Sequence, residues 1–166
     1  MAYRTKTYIA ADWDGDNDAV KQLYKWKNNN YWGLDFHDAH NVTQARDGSL
    51  NCSIKASLQN RMDISKTFVL IVGDGTRSRR AGNCYYCHKY IDCTKQSNKS
   101  YLEYECDKAV RDGLKIVVLY NSSSIDKSKC LYILKYVGTH EKMKTFNAAT
   151  WSYDWDYQTV KSALGQ

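Results

Sequence analysis

Two uninterrupted apolar runs, Thr67-Phe-Val-Leu-Ile-Val72 and Lys115-Ile-Val-Val-Leu-Tyr120, constrain this chain more than any other feature. Runs without polar alternation belong to strands covered on both faces, as in a parallel sheet. Each is preceded by apolar residues at helical spacing: Leu50, Ile54, Leu58 and Met62 before the first, then Leu102, Cys106, Ala109 and Val110 before the second. An earlier strand is expected at Thr7–Ala11. A helix with Val20, Leu23 and Tyr24 on one face, capped by Asp18, follows it. Leu34-Asp-Phe36 and Cys130–Leu134 read as further short strands. Trp151–Tyr157 carries four aromatics ahead of a short helix ending near Leu164. Strands alternating with helices predict an α/β fold in three layers, with a central, mainly parallel sheet between helices. Ligands of such sheets bind beyond the carboxyl ends of the strands, here the loops after Ala11, Phe36, Val72 and Tyr120.

A length of 166 residues suits one domain, 1–166, with a Cys- and Tyr-rich stretch at about 77–99 that keeps neither period and reads as an insertion. The net charge of +6 does not signal a nucleic-acid partner, because the 24 basic and 18 acidic residues divide equally between Met1–Asn83 and Cys84–Gln166. Arg77, Arg79 and Arg80 form the tightest basic group and read as a solvated loop. No apolar run approaches the roughly 18 residues that span a bilayer, and the N-terminus lacks a signal-peptide core. A cytoplasmic, reducing location is therefore expected, with the six cysteines as thiols or metal ligands.

Several motifs lose on spacing. Asp12, Asp14 and Asp16 do not make a calcium loop, since the glycine is Gly15 and the twelfth position is Leu23 instead of Glu. Cys84-Tyr-Tyr-Cys87-His88 has the haem-attachment pattern without an export signal. Cys84, Cys87, His88 and Cys93 could instead supply zinc ligands, although no second C-x-x-C pair completes a ribbon. Gly73-Asp-Gly75 is a turn, with no P-loop signature behind it. Glu103 and Glu105 flank the buried stripe of the Leu102 helix on opposite sides, and Tyr101 shares a face with Glu105. First-turn acids favoured by the helix dipole would account for both.

Three stretches together resemble the TIR-like domains of the ThsB type from the bacterial Thoeris antiphage system. They are Lys6–Asp12 with its loop; Phe36-His-Asp-Ala-His40 followed by Thr67–Gly73, Thr76 and Arg80; and Tyr101-Leu-Glu-Tyr-Glu105 running into Gly113–Val118. The last is similar to the family's W-x-x-x-E helix start, with Tyr101 where Trp is usual. The resemblance implies a flavodoxin-like fold and identifies Glu105 with the catalytic glutamate of NAD-cleaving TIR domains. Asp12, Trp13, Asp38 and Tyr101 become candidate substrate-binding residues around it. It further implies NAD as substrate with no cofactor required, a cyclic ADP-ribose-type messenger, self-association on activation, and a downstream effector protein. The alternative is a TIR-like scaffold that assembles with partners and turns nothing over.

Overall fold

A computed structural model describes residues 4–12, 14–36, 51–78 and 100–166, with the backbone alone at 51–56. Strand β1 (Lys6–Ala10) leads to helix α1 (Asn17–Lys27). Helix α2 (Asn51–Asp63) precedes β2 (Ser65–Val72), and α3 (Tyr101–Arg111) precedes β3 (Lys115–Tyr120). After these come a 3-10 turn at Tyr132–Leu134, the short strands β4 (Thr139–Lys142), β5 (Lys144–Asn147) and β6 (Ser152–Trp155), and helix α4 (Tyr157–Leu164). The main sheet is parallel throughout in the order β1-β2-β3-β4, so β1 is an edge among the described strands. The fold is thus the expected α/β, flavodoxin-like arrangement of a parallel sheet with helices.

The apolar runs divide by parity. Phe68, Leu70 and Val72 join Tyr8, Ile116 and Val118 in a core under α2 and α3. Val69 and Ile71 join Ile9, Val117 and Leu119 in a second core under α1 and α4. Burying both faces is why the runs have no polar positions. The aromatic C-terminal segment also divides. Trp155 and Tyr157 meet the buried Trp26 of α1 at ring centroids of 6.5 and 5.5 Å, whereas Trp151 and Tyr153 stay exposed.

Four expectations need correction. Leu34–Phe36 is not a strand; both apolar side chains are buried, but they sit in a coil against α1. Cys130–Leu134 closes as a 3-10 turn, and its buried Leu134 packs under α3. Val110 is 38% exposed, and the charged Lys108 is buried in its stead. Finally, Asp16 occupies the N-cap of α1 in place of Asp18, and it makes no side-chain cap bond.

Lys108 ties α3 to α2. Its ammonium lies 2.6 Å from Asp63 Oδ1 and 2.5 Å from Asp112 Oδ2. Burial works against the charge, but the hydrogen bonds to Asp112 and Asp63 outweigh it and keep the pKa above the ordinary lysine value. Breaking a buried pair strands its partners, though here Asp63 is half exposed and can be rehydrated. Lys108→Ala should therefore cost about 2 kcal/mol by urea denaturation. Lys108→Met, which keeps the stem, should cost less.

Candidate functional site

Three strand ends converge at the carboxyl edge of the sheet. The loop after β1 carries Asp12 and Asp16, both buried. The turn after β2 is closed by Thr76, whose hydroxyl accepts from the Gly73 amide at 2.9 Å. Asn121 follows β3 directly, and its Nδ2 donates to Asp16 Oδ1 and to Asp18 Oδ1, each at 2.9 Å. The glycines of the β2 turn leave room for these acids. A Cβ at Gly73 would lie 2.0 Å from Asp16 Oδ1, and one at Gly75 would lie 2.4 Å from Asp12 Oδ2.

Asp16 is 2% exposed, and neither its Oδ2 nor Asn121 Oδ1 has a hydrogen-bond partner among the described residues. Burial raises its pKa above the usual carboxylate value. The bond from Asn121 pulls the other way, and repulsion from Asp12, Asp18 and Asp74 adds to the rise. A carboxyl that binds its proton more readily when folded supports the fold most in acid, and that support fades as pH rises through its raised pKa. Asp16→Asn should therefore stabilise the protein at neutral pH, on the order of 1 kcal/mol. The gap should close towards acid, as denaturation at a series of pH values would measure.

Glu105 lies on α3, one turn in from its start, and reaches the middle of β1. The helix is started by a capping box. Ser100 Oγ accepts from the Glu103 amide at 3.1 Å, and Glu103 Oε2 accepts from the Ser100 amide at 2.7 Å. Glu103 is thus the ordinary first-turn acid. Glu105 is different: it is 5% exposed, and Tyr8 Oη donates to its Oε1. Tyr101, one turn earlier, is partly buried against the same core.

Of the residues singled out in the sequence, the structure places Asp12 in the loop after β1, Tyr101 at the first position of α3 and Glu105 one turn further along it. Trp13 and Asp38 lie outside the described residues, as do Arg79, Arg80 and the zinc candidates Cys84, Cys87, His88 and Cys93. Among the described residues, no group of three or more His, Cys, Asp or Glu side chains could hold a metal ion. Nor is any described helix long and apolar enough to cross a membrane. Arg77 is exposed and donates to the Ser128 carbonyl at 2.7 Å.

Sequence reasoning missed Tyr8, Asp16 as a cross-loop partner, and Asn121. A tyrosine inside an otherwise apolar strand was the available signal, because a buried phenol needs an acceptor. A cavity of about 10 Å³ lies on the opposite face, lined by Ile9, Leu23, Phe36 and Leu119 among others; it is apolar and far too small for a nucleotide.

Residues 8–83 match the family model described as the TIR-like domain of the Thoeris protein ThsB. The match takes in Tyr8, Asp12, Asp16 and the β2 turn, and it ends before α3. No curated protein matches the chain.

Proposed function

We propose that this chain, whose residues 8–83 match the TIR-like domain of the Thoeris protein ThsB, is a signalling protein of antiphage defence that cleaves NAD through Glu105. The observation that carries the reading is the burial of Glu105 within α3, with its carboxylate bonded to a strand residue and not spent on capping the helix like that of Glu103.

The chemistry suits one carboxylate. Nicotinamide is cationic in NAD and leaves neutral, taking the electron pair of its bond to ribose C1′, so no strong general acid is required. The ribosyl group left behind is oxocarbenium-like, and a fixed negative charge beside it stabilises that charge as it develops. Water capturing C1′ gives ADP-ribose and a proton. A nucleophile of the same nucleotide gives a cyclic ADP-ribose-type messenger, the product expected to reach a separate effector. Asp12 and Tyr101, with Trp13 and Asp38, are the proposed substrate contacts. Self-association on activation belongs to the same proposal. No cofactor enters the scheme. The test is nicotinamide release from NAD by purified protein, followed by mass spectrometry with Glu105→Gln alongside.

One observation favours the second reading, a non-catalytic interaction module. The β5–β6 hairpin presents Phe146, Trp151 and Tyr153 to solvent, and Trp151, 83% exposed, adopts a left-handed φ of 51° at the turn. Its ring meets Phe146 edge-on at 5.9 Å. Exposed aromatic clusters of this kind serve contacts more often than catalysis. A wild-type chain that releases no nicotinamide, even when assembled in phage-infected cells, would favour this module over the enzyme.

A further inference from the structure

Tyr8 occupies the middle of β1 and is fully buried. Its ring stacks on Phe68, its register partner in β2, with centroids 5.8 Å apart and planes 10° from parallel. The strand and the stacked ring leave the phenol little freedom, so its hydroxyl is delivered to one place. That place is Oε1 of Glu105, 97 residues along the chain. A donor aimed at a carboxylate favours its ionised form and limits its rotation, and the effect is strongest where water is excluded.

Other ionisable groups stand on the surrounding elements. Lys108 is held by Asp63 of α2 and by Asp112. Arg61 and Asp63 lie in the last turn of α2, the part that meets α3 through Gln59–Tyr104 and Asp63–Lys108, and Arg61 is buried with its Nε and Nη2 unpartnered among the described residues; Asp107 stands on α3 itself. Burial raises the pKa of the thiols of Cys106 and Cys130, so both stay neutral across the working range.

We propose that Tyr8 is the positioning residue of Glu105, fixing the carboxylate in orientation and keeping it charged for the ribosyl cation. The inference rests on the NAD-cleaving reading above, but part of its test does not. The full chain would be labelled with ¹³C at the glutamate carboxyls, Glu105 assigned by its loss in Glu105→Gln, and its titration compared between wild type and Tyr8→Phe. The phenylalanine keeps the stacked ring and removes only the donor. The expected result is an upward move of the Glu105 midpoint. Nicotinamide release should fall about tenfold, in kcat with KM nearly unchanged, and the acid limb of the pH–rate profile should move with the NMR midpoint. If Tyr8→Phe does not fold, 3-fluorotyrosine at position 8, a stronger donor, should move the midpoint down.

An unchanged midpoint overturns the role of Tyr8, whatever the activity. A shifted midpoint in a protein whose wild type releases no nicotinamide leaves Tyr8 holding Glu105 and removes the NAD-cleaving reading. Loss of turnover in Glu105→Gln with no change of either kind in Tyr8→Phe does the reverse.

Discussion

Glu105→Gln is expected to reduce nicotinamide release from NAD by at least about a hundredfold while leaving the fold intact. The size follows from the mechanism: removing a preorganised charge or dipole from a dry site typically costs 10²–10³ in rate. Survival of the fold follows from the contacts. The amide oxygen of Gln can still accept from Tyr8 Oη, and the capping box that starts α3 is formed by Ser100 and Glu103 without Glu105. The variant should therefore melt within about 1 kcal/mol of wild type. Phage protection should be lost in parallel with turnover. Equal turnover in the two proteins would remove Glu105 from the chemistry, and a variant that unfolds would mean that its burial is structural.

Gly138→Ala should destabilise the protein more than any other single-methyl change at the described glycines, by about 3 kcal/mol. Gly138 leads into β4 with φ +80°, and a Cβ there would sit 2.3 Å from the backbone oxygen of Ile116 in β3. A backbone oxygen inside a sheet has no rotamer to yield, so β3 and β4 must separate. Gly113→Ala separates the two components of the cost. Gly113 also has a positive φ, +66°, but its Cβ would meet nothing within 4 Å. It should therefore show only the left-handed penalty of about 1 kcal/mol. Similar losses in the two variants, read from denaturant midpoints, would show that the close approach of β4 to β3 is not what Gly138 supplies.

The central strands were legible because burial on two faces leaves a local mark: β2 and β3 lie where the apolar runs predict them. Helices α1 and α3 were legible through their stripes. The shorter strands were not. β4, β5 and β6, with sequences THEK, KTFN and SYDW, have no buried residue among them. β4 is decided by a partner further back in the sequence, Val118 for His140, whereas β5 and β6 pair locally with each other without a buried face to mark them. Leu34–Phe36 and Cys130–Leu134 show the opposite case: their apolar residues serve the core from a coil and a 3-10 turn, so apolarity there does not mark a strand.

The site divides in the same way. Helical spacing placed Glu103 and Glu105 on either flank of a stripe and could rank neither. Ser100-x-x-Glu103 was a readable capping box that would have claimed Glu103 for the helix end. The phenol that bonds Glu105 comes from a strand 97 residues away, which no local period encodes.

The two ends of that contact are held by different neighbours. Tyr8 stands on a strand paired along its length with β2, whereas Glu105 rides on a helix clamped to α2 through Lys108 and Asp63. Loosening either attachment would be felt at the same carboxylate. Amide exchange along Lys6–Ala10 and Tyr101–Arg111 would report whether the two segments open together or apart.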